Sequence, residues 1–134
     1  MKKILFICAG NVARSQMAEA FYNYFTDSLD AISAGVLDFT PAKYGHPIPE
    51  VVEVMQEEGI DVSQKKVKTV TAGMVKTVDD IYVLCPEEKV PEFVTDRGSV
   101  IYWEIKDPFD SSTENFRMIR DVIKEKVKKI IIFQ

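Results

Sequence analysis

The sequence predicts an α/β fold in which a four-stranded parallel sheet is flanked by helices on both faces. The alternation of two kinds of segment predicts it. Short apolar runs of strand length alternate along the chain with longer segments whose apolar residues recur at helical spacing. An alternating β-α order places the strands parallel and the helices on both faces of the sheet. The length of 134 residues suits one compact domain, so we expect a single domain over residues 1–134.

The first half of the chain contains two predicted strands and two predicted helices. Ile4–Cys8 is a continuous apolar run, which is typical of a strand buried on both faces. Apolar residues then recur at helical spacing from Ala13 onwards, and Ala31–Ala34 is a short second strand. After a loop rich in proline and aromatic residues, Pro49 suits the first turn of a helix that ends at Gly59.

The second half adds two strands and a long final helix. Ile81–Cys85 is an apolar run that stops before a proline, and Val100–Trp103 is a fourth run of strand length. Ser111 and Glu114 have the spacing of a capping box, which predicts the start of the last helix. Ligands of parallel sheets bind beyond the carboxyl ends of the strands, so residues at those ends are the candidates for function.

Composition excludes several classes of protein. Seventeen Lys and Arg against 21 Asp and Glu give a net charge of −4, which disfavours binding to nucleic acid or to an anionic membrane. Neither of the longest apolar runs approaches the roughly 20 residues of a membrane span. Two cysteines and one histidine are too few for a disulfide scaffold or a zinc site. We therefore expect a cytoplasmic protein that requires no metal and no cofactor.

The turn between the first strand and the first helix contains the residues suited to chemistry. It reads C-A-G-N-V-A-R-S over Cys8–Ser15. Backbone N–H groups at such a turn converge on an anion, and Gly10 and Asn11 tolerate the positive φ that the curled loop requires. Arg14 offers two donors to an oxyanion. A helix N-terminus and a guanidinium stabilise a thiolate, so Cys8 is predicted to attack phosphorus or arsenic in line.

The other residues of this loop are predicted to bind the anion or to hold the loop in shape. The Ser15 hydroxyl can donate to the sulfur of Cys8. The full set of predicted phosphate-binding and supporting residues is Ala9, Gly10, Asn11, Val12, Ala13 and Ser15.

These residues carry a resemblance to a known family. Cys8–Ser15 resembles the phosphate loop of the low-molecular-weight protein-tyrosine phosphatases and of the related thiol-coupled arsenate reductases. The likeness continues through Gln16–Ala20, Ser33–Gly35, Glu58–Asp61 and Asp107–Pro108, so it covers almost the whole chain. The resemblance implies a four-stranded parallel sheet with flavodoxin-like layering, which agrees with the strands read from the sequence.

The resemblance also implies roles for residues outside the loop. Asp107 matches the general acid of the family, with Asp110 as the neighbouring carboxylate that could be confused with it. Phe39 and Phe109 match aromatic walls of the substrate site, and Tyr44 is a further candidate. The resemblance also implies a group of residues that holds the loop in shape and that binds a potassium ion in some reductases. The matching residues here are Asn11, Glu19, Ser33 and Asp61.

Cys85 leaves two activities open. It lies where the arsenate reductases have their first resolving cysteine, which attacks the nucleophilic sulfur and releases arsenite as a disulfide forms. The segment 86–92 lacks the further cysteine of thioredoxin-coupled members. In a phosphatase, Cys85 would instead protect Cys8 from irreversible oxidation by forming a reversible disulfide.

The aromatic residues favour a phosphatase. We predict a cysteine-dependent phosphomonoester hydrolase that acts through a phosphocysteine on a phosphorylated protein or a small aryl phosphate. The alternative is an arsenate reductase that uses Cys8 and Cys85 with a thioredoxin-like protein or a low-molecular-weight thiol as reductant. A non-catalytic oxyanion sensor would use the same loop, but Asp107 would then have no catalytic role.

Overall fold

The fold is a four-stranded parallel sheet with helices on both faces, in a computed structural model that describes residues 1–86 and 89–134. Its strands are β1 (Ile4–Cys8), β2 (Ala31–Gly35), β3 (Asp80–Val83) and β4 (Val100–Tyr102). Its helices are α1 (Arg14–Thr26), α2 (Thr40–Tyr44), α3 (Pro49–Gln56), α4 (Ala72–Lys76), α5 (Glu92–Thr95) and α6 (Thr113–Ile132). The strand order β2-β1-β3-β4, with all pairs parallel, confirms the predicted fold class.

Strand β1 is central, and its side chains alternate between two hydrophobic cores. Ile4 and Phe6 pack with buried residues of α1, α3 and α6 on one face of the sheet. Leu5 and Ile7 pack with buried residues of α4 and α5 on the other face. Burial on both faces explains why this strand is apolar at every position. In the two described ranges, no helix has the length and apolar character that a membrane span requires.

Several predicted boundaries differ from the observed ones: β2 ends at Gly35 rather than Ala34, β3 begins at Asp80 rather than Ile81, and α3 ends at Gln56 rather than Gly59. Strand β3 ends two residues before Cys85, and β4 ends one residue before Trp103, although the Trp103 N–H still donates to the Val83 carbonyl (2.8 Å). The N-cap of α6 is Ser112, whose Oγ accepts from the Asn115 N–H (3.2 Å). The predicted cap, Ser111, is wrong because its hydroxyl donates to the Pro108 carbonyl in the preceding turn.

An ion-pair cluster joins the end of α3 to α6. Arg117 Nη2 lies 2.8 Å from Glu57 Oε2, and Arg120 Nη1 lies 2.7 Å from Glu57 Oε1. These hydrogen bonds, first from Arg117 and then from Arg120, lower the pKa of Glu57 from 4.5 to about 2. The cluster therefore favours the folded chain only while Glu57 is ionised.

We expect acid to weaken this link. Because the pKa of Glu57 is lower in the folded chain than in the unfolded chain, its carboxylate stabilises the fold above about pH 4.5, and this contribution is lost as the pH falls towards 2. Glu57→Gln should lower the free energy of unfolding at neutral pH and change it little near pH 2. Urea denaturation over a pH series measures the difference. The control Glu53→Gln, at an exposed position of α3, should show no such trend, and a pH-independent difference for Glu57→Gln would contradict the assignment.

Candidate active site

The loop Cys8–Ser15, here called the cysteine loop, curls around the sulfur of Cys8 between β1 and α1. Asn11 adopts φ 59°, and its backbone N–H donates to Cys8 Sγ (3.3 Å). Ser15 Oγ lies 2.9 Å from the same sulfur and accepts from Asn11 Nδ2 (2.8 Å), so the hydroxyl proton of Ser15 is available to the sulfur. Two donors thus face Cys8 Sγ, an arrangement that stabilises a thiolate.

Gly35 allows the cysteine loop to pass directly over the end of β2. A Cβ at Gly35 would lie 2.8 Å from the Ala9 carbonyl oxygen and 2.9 Å from the Asn11 nitrogen. These are backbone atoms, so a side chain at position 35 could be accommodated only if the cysteine loop moved. The Val36 and Leu37 N–H groups, which follow Gly35, both donate to the Ala9 carbonyl at 2.9 Å. The sequence pointed to Gly35 only through the family resemblance.

The Arg14 side chain is buried, and hydrogen bonds within the protein hold its guanidinium in place. Its Nη1 donates to the carbonyls of Leu84 (2.6 Å) and Ile105 (3.0 Å), which follow β3 and β4. Its Nη2 lies 3.5 Å from Asp107 Oδ2. The Asp107 side chain is half exposed, and its Oδ1 accepts from the Phe109 N–H (3.0 Å). The structure therefore brings Arg14 and Asp107 together, as the sequence predicts.

A cleft of about 260 Å³, here called the Cys8 cleft, opens above the cysteine loop. The three predicted aromatic walls, Phe39, Tyr44 and Phe109, all line it. The rings of Tyr44 and Phe109 meet edge to face with centroids 6.3 Å apart. The remaining lining residues are Cys8, Ala9, Gly10, Val12, Ala13, Arg14, Leu37, Thr40, Lys43 and Asp107. The cleft thus combines an anion-binding base with largely apolar walls, which suits an aryl group attached to an oxyanion.

The predicted supporting group is brought together in part. Asn11 Nδ2 donates to Ser33 Oγ (2.9 Å), and Ser33 Oγ donates to Glu19 Oε1 (3.0 Å). Asp61 is instead exposed, and its Oδ1 accepts from the Ser63 N–H (2.9 Å). Hydrogen bonding from the Ser63 side chain, and then from its backbone N–H, lowers the pKa of Asp61. Among the described residues, no three His, Cys, Asp or Glu side chains are grouped in a way that could hold a metal ion.

A segment that the sequence analysis missed supports the cysteine loop from behind. This support segment, Lys65–Val70, bonds through its backbone: the Lys68 N–H donates to Asn11 Oδ1 (2.9 Å), and the Lys66 carbonyl accepts from Gln16 Nε2 (2.9 Å). The Lys68 carbonyl also accepts from the Gly35 N–H (2.8 Å). No side-chain pattern reveals such contacts, because every residue carries the backbone groups that make them.

The structure does not bring Cys85 into the Cys8 cleft. Cys85 is buried and packs with Leu5 and Ile7 on the face of the sheet that carries α4 and α5. It lines a second cleft of about 520 Å³ together with Tyr102. No disulfide joins Cys8 and Cys85.

Comparison with known proteins decides the family. The sequence model described as low molecular weight phosphotyrosine protein phosphatase matches residues 3–132. The chain belongs to this family. A similar solved structure is that of Vibrio vulnificus Wzb in complex with benzylphosphonate, with a TM-score of 0.84, 22% identity and 99% of each chain covered. At that identity the likeness confirms the fold.

This member of the low-molecular-weight phosphatase family is also similar to arsenate reductases. An arsenate reductase of Brevibacillus brevis is 30% identical over 131 residues, which cover 96% of this chain and 92% of the relative. A solved arsenate reductase in the phosphate-binding state has a TM-score of 0.83 and 28% identity, with 98% of each chain covered. The chain is an enzyme of the family, and both predicted activities, phosphatase and arsenate reductase, are compatible with these similarities.

Proposed function

We propose that the protein is a phosphomonoester hydrolase that acts through a phosphocysteine intermediate, with an aryl phosphate or a phosphorylated protein as substrate. The observation that carries the proposal is the Cys8 cleft. Its base holds Cys8, Arg14 and Asp107, and its walls include the aromatic rings of Phe39 and Phe109. Apolar walls would contact an aryl group, whereas arsenate, which has no such group, would leave them exposed.

In the proposed reaction, the thiolate of Cys8 attacks the phosphorus and forms an S–P bond as the P–O bond to the leaving group breaks. Arg14 and the N–H groups of the cysteine loop bind the equatorial oxygens of the transferring group. Asp107 donates a proton to the leaving oxygen. In the second step Asp107 accepts a proton from water, which attacks phosphorus and returns the sulfur to its thiolate form. No metal or cofactor takes part in this scheme.

Arsenate reduction is the second candidate, and the similarity to arsenate reductases favours it. In that reaction the Cys8 thiolate would form an S–As bond with arsenate, and a protonated arsenate oxygen would leave as water. The Cys85 thiolate would then attack Cys8 Sγ, so that a disulfide forms while the S–As bond breaks and its electron pair stays on arsenic, which leaves as arsenite. A thioredoxin-like protein or a small thiol would then reduce the disulfide. The separation of the two cysteines into different clefts favours the phosphatase. We also propose a cytoplasmic location, where a reactive thiolate stays reduced.

A paired assay distinguishes the two activities. We expect hydrolysis of an aryl phosphate such as p-nitrophenyl phosphate to exceed thiol-dependent reduction of arsenate, and to persist in Cys85→Ala. The reductase would need Cys85, so the variant separates the mechanisms. Both rates are measured in the same buffer with dithiothreitol, and with thioredoxin added for the reductase. Negligible hydrolysis, together with arsenate reduction that is lost in Cys85→Ala, would reverse the proposal.

A further inference from the structure

Behind the cysteine loop, a lysine of the support segment neutralises a buried carboxylate. Glu19, on α1, is 5% exposed. Lys65 Nζ lies 2.9 Å from Glu19 Oε2, and the side chain of Lys65 is partly exposed. A buried carboxylate without a partner is costly, and it either takes up a proton or draws in water. The ammonium of Lys65 gives this buried carboxylate an ion-pair partner inside the fold.

The charge on Glu19 determines the direction of a chain of hydrogen bonds that ends at Cys8. An ionised carboxylate only accepts, so Ser33 must donate its single proton to Glu19 Oε1 (3.0 Å). The oxygen of Ser33 is then left to accept from Asn11 Nδ2 (2.9 Å). Without the ion pair to Lys65, the Glu19 carboxylate would no longer be fixed in place, and the hold of Ser33 on Asn11 would weaken.

Asn11 connects this chain of hydrogen bonds to the sulfur of Cys8. Its Nδ2 serves both Ser33 and Ser15, while its Oδ1 accepts from Gln16 Nε2 (3.0 Å) and from the Lys68 N–H (2.9 Å). Hydrogen bonds thus fix both the nitrogen and the oxygen of the Asn11 side-chain amide. With the side chain fixed, the backbone of Asn11 keeps its φ of 59° and directs its N–H towards Cys8 Sγ. Asparagine tolerates this left-handed conformation better than most residues other than glycine, and the bonds to its side chain hold it there.

Lys68, the other lysine near Glu19, does not substitute for Lys65. Burial lowers the pKa of Lys68, and the charge of Glu19 opposes that shift. The ammonium of Lys68 donates to the Lys66 carbonyl (2.9 Å). The direct ion pair with Glu19 is made by Lys65.

We propose that Lys65 is a positioning residue for Cys8, acting through Glu19, Ser33 and Asn11. Its ammonium, on the support segment, fixes the Glu19 carboxylate and so keeps the cysteine loop in the form that stabilises the thiolate. The inference rests on the proposed role of Cys8 as nucleophile. It extends the site to a residue 57 positions along the chain from Cys8, one that never touches the substrate.

The test compares Lys65→Met with Lys65→Arg. We expect Lys65→Met to lower kcat for aryl-phosphate hydrolysis by about 10- to 100-fold with little change in KM, since a small displacement of a reacting group has effects of this size. Alkylation of Cys8 by iodoacetamide, followed between about pH 5 and pH 9 in the Cys85→Ala background, should require higher pH in Lys65→Met. Lys65→Arg restores a cation and should recover most of the rate. The control Lys76→Met makes the same charge change at an exposed residue of α4, outside the support segment, and should leave both measurements unchanged.

A double variant tests the route of the effect. If Lys65 acts through Ser33, adding Lys65→Met to Ser33→Ala should reduce kcat by less than about threefold beyond Ser33→Ala alone. Fully additive losses, or a wild-type alkylation profile in Lys65→Met, would overturn the inference. If Lys65→Met does not fold, the charge-preserving Lys65→Arg and the Ser33→Ala variant still provide the alkylation test. That test needs no turnover, so a protein without phosphatase activity would refute the proposed function and leave this inference to be judged separately.

Discussion

Replacement of Cys8 by serine is expected to abolish turnover of an aryl phosphate while the fold remains intact. The change is nearly isosteric, and the buried side chain keeps its place beside Ser15 Oγ, 2.9 Å away in the wild type. A serine hydroxyl is a much weaker nucleophile than a thiolate at neutral pH, and the loop offers no base to activate it. We expect kcat to fall by about 10³- to 10⁶-fold, the range for loss of a nucleophile.

The measurement pairs turnover with two checks on the folded protein. Thermal unfolding and the affinity for inorganic phosphate should stay close to those of the wild type, because Arg14 and the loop N–H groups are unchanged. The matched control is Cys85→Ser, the same substitution at the other cysteine, which should retain hydrolysis. Turnover at the wild-type rate in Cys8→Ser would end the assignment of Cys8 as nucleophile.

Asp107→Asn is expected to slow hydrolysis by about 10²- to 10⁴-fold, the usual contribution of a general acid. The loss should be greatest for a poor leaving group such as phenolate and smallest for p-nitrophenolate, which departs readily without a proton. Phosphate should bind as well as before or better, because the carboxylate lies 3.5 Å from Arg14 Nη2 and repels an arriving anion. The asparagine Oδ1 can still accept from the Phe109 N–H, so the local turn should be preserved.

Asp110→Asn is the matched control for the general acid. Asp110 is exposed and lines a neighbouring cleft with Ser111 rather than the Cys8 cleft. Its variant should retain the wild-type dependence on the leaving group in steady-state kinetics. Equal losses in the two variants, or wild-type kinetics in Asp107→Asn, would remove Asp107 from the mechanism.

The central part of the fold could be predicted because its signals are strong and local. The apolar run Ile4–Cys8 identifies β1, while Pro49 and Gly59, which adopts φ 76°, bracket the helix α3. The short helices α2, α4 and α5 were not predicted, since four or five residues are too few to show a helical period. The shift of the α6 cap from Ser111 to Ser112 depends on a turn bond that composition does not reveal.

The residues of the candidate site likewise differ in how far the sequence predicts them. Cys8 and Arg14 lie in one short loop, so their proximity follows from the sequence alone. The placement of Asp107 beside Arg14 required the family resemblance, because the two residues are far apart in the chain. Lys65 could not be predicted at all: its partner Glu19 lies on another element, and an isolated lysine in a lysine-rich segment carries no distinguishing pattern.

The anchoring of Arg14 has a consequence for how the enzyme tolerates change. The two groups that hold its Nη1 are main-chain oxygens of residues 84 and 105, which every amino acid possesses. Substitution of either side chain would leave both acceptors in place as long as the sheet keeps its register. The orientation of the Arg14 guanidinium is therefore set by main-chain atoms. Substitutions at residues 84 and 105 should leave that orientation unchanged.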